Sequence, residues 1–402
     1  MLNPSLALLA SIAGILILMR LKVHIGIAVF VGSLIISLLV LPPRSAPQLM
    51  LQALLDHQTL RLLAIIACAL TMSQLMEVKG LLTNLAATME RISAKLAMHI
   101  TPAVIGLVPM PAGALVSATA VRDLVKRMGL TPEQATFINY WFRHIWEYSL
   151  PVYPAVITAS VVLSVKLSSV VVILLPMTAL TIAFGAVSSY RILKVKRNPE
   201  TREKISKNIA YNLLAASWPI LLLIALVLMG LDAVIAFPVA LALLALQQRV
   251  KWPEAKKALK YGLDPRMLLL LYAVMLYKTV IESSGAAHTL LSDMESIRLP
   301  ALFILAALPF LIGFATGLAM PFVGVAFPLL IPIMGQALGV NSYALLLAYA
   351  SGEMGVLLSP VHLCLVFSAE YFKANLAKVY RYTLPPLLAM EAIVVLAYYI
   401  AA

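Results

Sequence analysis

The chain has 402 residues, 62% of them hydrophobic and only 12% charged, with a mean hydropathy of +0.98. A soluble domain of this length needs more polar surface, and continuously apolar runs of ~20 residues suit membrane-crossing helices and exclude the alternating pattern of a β-barrel. The net charge of +13 does not describe a nucleic-acid binder, because Lys and Arg sit in short loops between apolar runs and no basic, aromatic-rich module carries them.

The opening stretch "MLNPSLALLASIAGILILMRLK" has no basic region before its apolar run and no small-residue cleavage site, so it reads as a first membrane helix. Apolar segments follow near 24–41, 59–78, 98–125, 133–165 and 167–190. The stretch "RILKVKRNPETREKISKN" (191–208) is the most charged in the chain and marks its midpoint. A second set lies near 211–230, 233–249, 265–283, 299–335, 342–372 and 383–401. Cys68 and Cys364 both fall inside apolar segments. They are too few for a disulfide framework and lack zinc spacing, so they read as packed small hydrophobes.

The two sets parallel each other. Residues 60–89 resemble 264–294: an apolar run, an acidic turn with Gly, then a short amphipathic stretch. "IGLVPMPAGALVSATAV" (105–121) resembles "IGFATGLAMPFVGVAFPLL" (312–330), and "YWFRHIWEYSLPVYPAVITAS" (140–160) resembles "YASGEMGVLLSPVHLCLVFSA" (349–369). Positive charge orients them. With the N-terminus outside, the inner loops collect Lys79, Arg122, Lys126, Arg127, the midpoint linker, the 247–260 loop, Lys373, Lys378 and Arg381; the outside keeps Arg44, Arg61, Lys166 and Arg298. This requires five crossings per half, so the halves are expected to be inverted repeats, 1–190 and 211–402, around a basic cytoplasmic linker at 191–210, with both termini outside.

Unsatisfied backbone groups in hydrocarbon cost several kcal/mol each, so a Gly/Pro break survives only buried in protein or lining a cavity. Paired breaks in inverted repeats place that cavity at mid-depth. Pro109, Pro111 and Gly113 are expected at one re-entrant hairpin tip, and Gly313, Gly317 and Pro321 at its mirror image. Freed N–H groups at half-helix starts suit an anion, with Ser117, Thr119 and Thr316 as added donors; alternatively these small residues only permit close helix packing.

In "NYWFRHIWEYSLPVYP" (139–154), Arg143, His144 and Glu147 lie within one and a half turns at membrane depth. Arg143 and Glu147 share a helix face. Arg143 is a candidate anion clamp, and His144 and Glu147 are candidate proton carriers; the alternative is a structural Arg143–Glu147 pair. Tyr140, Trp141, Trp146, Tyr148 and Tyr153 read equally as binding-site aromatics or an interfacial belt. In the mirror segment Glu353 is the best single candidate for a coupling-ion site, with a cytoplasm-facing cap as the alternative, and Ser359, Pro360 and His362 follow at the break. Lys278 with Glu282, at i and i+4, reads as a structural pair.

Catalytic signatures, dinucleotide and ATP motifs and a metal-ligand set of recognisable spacing do not occur, so the expectation is a non-enzyme without cofactor or metal, driven by an ion gradient. "IGLVPMPAGALVSA" with "NYWFRHIWEY" and "PVYP" resembles an uncharacterised family of prokaryotic integral membrane proteins, a domain of unknown function. That family is similar to the ion transporter superfamily of divalent-anion, gluconate and arsenite carriers. The resemblance implies an all-α polytopic fold with inverted repeats, re-entrant hairpins, a midplane site, and often a homodimer with an elevator motion. The divalent-anion carriers bind sodium at Ser-Asn-Thr tips, whereas the tips here read "PMPAGALVSAT" and "ATGLAMP", which favours protons on Glu147, His144 or Glu353. The expected function is secondary transport of a small anion across a prokaryotic cytoplasmic membrane; the alternative is a lipid-linked phosphate carrier or flippase.

Overall fold

The computed structural model describes residues 3–81, 94–109, 113–194 and 207–401, and all regular structure among them is helical. The first half runs α1 (Pro4–Arg20), α2 (Ile25–Val40), α3 (Ser45–Leu55), α4 (His57–Val78), α5 (Ala94–Ile105), α6 (Gly113–Met128), α7 (Pro132–Arg143), α8 (Pro154–Val162) and α9 (Leu167–Lys194). The second runs α10 (Lys207–Leu228), α11 (Ala233–Gln247), α12 (Trp252–Gly262), α13 (Pro265–Ser284), α14 (Ala286–Ser296) and α15 (Ala301–Thr316). It continues with α16 (Ala319–Met334), α17 (Ser342–Leu358), α18 (Leu363–Phe372) and α19 (Leu376–Ala401). The amphipathic stretch expected after Lys79 and most of the basic linker lie outside the described residues.

Five stretches among the described residues are long and apolar enough to cross a membrane: His57–Val78, Leu167–Tyr190, Trp252–Ser284, Ser342–Phe372 and Leu376–Ala401. The chain is a multi-pass membrane protein. Helix starts are written locally. The side chains of Asp56, Asp232, Asp264 and Asn341 each accept from a free N–H of the following first turn. Thr131 and Gln134 form a reciprocal capping box ahead of α7, with Pro132 at the first helical position.

The packing pairs recur in the same order in both halves. α1 packs on α2 as α10 does on α11; α5 packs on α7 as α15 does on α17; α9 flanks α7 as α19 flanks α17. Between the halves the exchange is also matched: α2 and α3 pack on α13, while α11 and α12 pack on α4. Polar contacts at the two ends join residues that the charge pattern assigns to one side. Lys79 pairs with Glu254 at 2.6 Å, and the Asn375 N–H donates to Glu133 at 3.4 Å, at one end. At the other, Arg61 pairs with Asp232 at 2.8 Å and the Ala337 N–H donates to the Leu163 carbonyl at 3.0 Å.

At the centre lie α7 and α17. Ala135 through Arg143 and Leu347 through Leu358 are buried without interruption. A helix buried on every side belongs to the heart of a fold, not to its lipid-facing rim.

Candidate functional site

Both central helices stop in the protein interior. After α7 the chain runs irregularly to Pro154, which starts α8 at its first helical position; Pro151 and Pro154 have no N–H to continue a helix ladder. After α17, Ser359 and Pro360 end the helix and His362 flanks the start of α18. The carbonyls left over at these ends are taken reciprocally. The Tyr140 hydroxyl, on α7, donates to the Leu357 carbonyl at 3.0 Å, and the Tyr349 hydroxyl, on α17, donates to the Glu147 carbonyl at 2.9 Å. Each broken helix therefore satisfies the other's backbone where water cannot.

Two further breaks meet these. The turn after α5 touches the end of α7: a β-carbon at Gly106 would lie 2.2 Å from the Arg143 carbonyl oxygen, and the Tyr153 hydroxyl donates to the Gly106 carbonyl. Between α15 and α16, Gly317 has φ +64°, and a β-carbon there would lie 2.8 Å from the His362 nitrogen. Glycine is required at both, by close approach at the first and by left-handed backbone as well at the second.

A polar cluster fills the meeting point. Arg143 Nη1 lies 3.4 Å from Glu147 Oε1, and His144 Nε2 lies 3.7 Å from the same oxygen. His144 Nδ1 is 2.6 Å from the Tyr140 carbonyl, His362 Nδ1 is 2.6 Å from the Gly317 carbonyl, and the two Nε2 atoms are 3.0 Å apart. Glu353 is fully buried, and no donor among the described residues hydrogen-bonds to either of its oxygens; its carboxyl faces that of Glu147. Cys364 completes a group with His144 and His362 whose nitrogen and sulfur atoms all lie within 4.8 Å of one another.

The sequence-based candidates separate accordingly. Arg143, His144, Glu147, Glu353, Gly317 and His362 come together. The Arg143–Glu147 pair is formed, and the reading of Glu353 as a cytoplasm-facing cap is overturned by its complete burial in mid-helix. Ser359 is buried beside Gly317, with its hydroxyl oxygen accepting from the Val361 N–H at 3.3 Å. The hydroxyls of Ser117 and Thr119 donate to carbonyls of their own helix, and Thr316 Oγ1 accepts from the Leu318 N–H, so all three engage local backbone. The Pro109 carbonyl is held to α4 by the Ser73 hydroxyl at 3.1 Å, Gly113 opens α6, and Pro111 lies outside the described residues. Pro321 sits in the first turn after its break, not at the tip, and Gly313 lies inside α15 against the Gly352 carbonyl, a packing position.

The aromatics form no belt. Tyr140, Trp141, Tyr148 and Tyr153 are buried, and the Trp141 and Trp146 indole N–H groups donate to the Thr181 and Ala103 carbonyls at 2.9 and 2.7 Å. Lys278 and Glu282 are 3.9 Å apart, as expected of a structural pair. Sequence reasoning missed Tyr349, Gly106 and Cys364; the alignment of Tyr349 with Tyr140 in the paired segments was the available signal for the first.

At the end of the molecule that carries Lys166, a cavity of about 320 Å³ is lined by His57, Arg61, Ser164, Lys166 and Asp232. Partial burial opposes the Asp232 charge, but hydrogen bonds from Arg61 and from the Val234 N–H hold its carboxyl below the usual aspartate range.

Interrupted helices whose breaks meet around buried charge define a polytopic membrane protein with an internal polar site. The chain belongs to the family described as Protein of unknown function (DUF401), whose model matches residues 3–401. No curated protein matches it. Among solved structures it is similar to the YdaH transporter of Alcanivorax borkumensis, with 15% sequence identity, 89% of each chain covered and a TM-score of 0.62. At that identity the likeness is one of fold.

Proposed function

We propose that this chain is a secondary transporter of a small anion, an organic carboxylate or an inorganic oxyanion, coupled to protons and working by alternating access of elevator type. The observation that carries the proposal is the Arg143–Glu147 pair, buried where the breaks meet and facing Glu353. Two buried carboxyl groups that face each other repel unless one of them carries a proton. A proton that reaches Glu147 through Glu353 releases the Arg143 guanidinium, whose planar fork then takes the anion. Departure of the anion returns Glu147 to Arg143 and expels the proton. Proton and anion thus raise each other's affinity, as reciprocal linkage requires. Fold likeness to a solved transporter supports the transport role, and the matched packing of the halves supports inverted repeats around this site. The basic cavity beside Lys166 suits an outer vestibule for anions. In this reading the chain sits in a prokaryotic cytoplasmic membrane as a homodimer, with the linker inside and both termini outside.

The test is uptake into proteoliposomes. Labelled carboxylates and oxyanions should accumulate under an imposed pH gradient, collapse with a protonophore and ignore sodium. Sodium-driven uptake sinks the proton reading. Binding of prenyl phosphates without any soluble anion replaces the whole proposal with the lipid-linked carrier.

A further inference from the structure

We infer that His144, His362 and Cys364 hold one divalent transition-metal ion of zinc type at the crossing of the two broken helices. The expectation of no metal rested on spacing along the chain, and these ligands come from opposite halves. Each imidazole Nδ1 lies 2.6 Å from a backbone carbonyl oxygen, which only accepts, so each Nδ1 carries its hydrogen. Each neutral ring then presents a bare lone pair at Nε2, and those two atoms are 3.0 Å apart. Two lone pairs at that distance repel unless a cation lies between them.

Cys364 decides which cation. Its sulfur joins the two nitrogens within 4.8 Å, and two imidazoles with one thiolate are a donor set for zinc and its neighbours. Zinc–nitrogen bonds of about 2.0–2.1 Å at a tetrahedral angle separate two nitrogens by roughly 3.3 Å. The observed gap is within a few tenths of that, and the Cys364 sulfur, within 4.8 Å of both nitrogens, would have to close on the bound ion. The Nδ1–H bonds to the Tyr140 and Gly317 carbonyls are the outer-shell support that ligating histidines use to fix ring orientation. Glu147 Oε1, 3.7 Å from His144 Nε2, stands toward the fourth position. Arg143 opposes a cation here and Glu147 offsets it. A divalent ion with a thiolate carries the same single net positive charge as a proton shared by the two rings, so charge alone does not separate the two occupants. The thiol does, since a shared proton has no use for it.

The inference shares Arg143 and Glu147 with the anion reading but rests on the two histidines and Cys364, and it fails separately from that reading. The experiment uses purified full-length protein, stripped by chelator and titrated with Co²⁺. One Co²⁺ per chain should bind with tetrahedral ligand-field bands and a thiolate-to-cobalt charge-transfer absorption. Cys364→Ser should lose that absorption and weaken Co²⁺ binding by at least about tenfold, while Cys68→Ser keeps both. Absence of the charge-transfer band in the unmodified protein at saturating Co²⁺ overturns the inference, as does an unchanged titration in Cys364→Ser. The first arm decides even if a variant folds poorly.

Discussion

Glu353→Gln separates a proton carrier from a merely buried acid. The wild-type carboxyl is fully buried, has no donor of its own among the described residues, and faces Glu147. Glutamine keeps the shape and supplies an N–H donor toward Glu147 without a titratable proton. A hydrogen bond to a charged group contributes about 1.5–3 kcal/mol net. A proton held between the two wild-type carboxyls relieves the same repulsion that the amide removes, so at neutral pH the two proteins should melt within about 1 kcal/mol of each other. Without that proton the two wild-type carboxylates repel each other and the amide does not, so at high pH the variant should become the more stable of the two. Transport should change in kind. Uptake driven by a pH gradient should vanish, while exchange of labelled for unlabelled anion survives, because Arg143 is intact. Thermal melts across pH, with paired gradient-driven and exchange assays in proteoliposomes, read both effects. Gradient-driven uptake that persists in Glu353→Gln, or a uniform loss of stability at every pH, refutes the reasoning.

Arg143→Lys keeps the charge but not the fork, and should weaken anion affinity by one to two orders of magnitude, roughly the 1.4–2.7 kcal/mol of one charge-assisted bond, in a ligand-induced melting shift. Gly317→Ala forces a β-carbon into left-handed backbone 2.8 Å from the His362 nitrogen; it should cost about 1–3 kcal/mol and lower the melting temperature, whereas alanine at Gly80, where nothing lies nearby, should cost less. Asp232 is held below its ordinary range, so its bond to Arg61 stabilises above the unfolded pKa near 3.8 and is lost as pH falls through the lower folded value. Asp232→Asn should therefore melt slightly earlier than wild type at pH 6 and level with it at the most acid pH the fold survives. Both groups are partly exposed, so the gap should shrink in high salt.

Much of this fold was legible because the bilayer leaves few options. Apolar segments read from the sequence, such as 24–41 and 265–283, recur as α2 (Ile25–Val40) and α13 (Pro265–Ser284) within a few residues. The breaks were legible too, since proline and glycine act locally. What could not be read was which groups face each other. His144 and His362 are 218 residues apart, and no periodicity announces that their ring nitrogens meet. The local bonds of the serines and threonines were hidden for a related reason. A hydroxyl beside a helix end has a backbone partner at hand, and Ser117 and Thr316 took it. Pro321 illustrates the limit of punctuation: proline fits the first turn of a helix as well as it breaks one, and here it is the former.

The matched packing of the two halves is not shared by the chemistry. Tyr140 and Tyr349 sit at matching places and make matching bonds, so the two crossings support each other as equals. Yet Arg143, His144 and Glu147 all follow Tyr140, while the second half answers with Glu353, His362 and Cys364. A site made of two identical halves would bring two guanidiniums or two lone carboxylates face to face. The difference between the halves lets a cation on one side balance acids from both. In the proposed cycle the anion is then held by the first half, and the proton passes between the halves. This is why the two broken helices must stay in register, and why the reciprocal tyrosines matter to function as much as to folding.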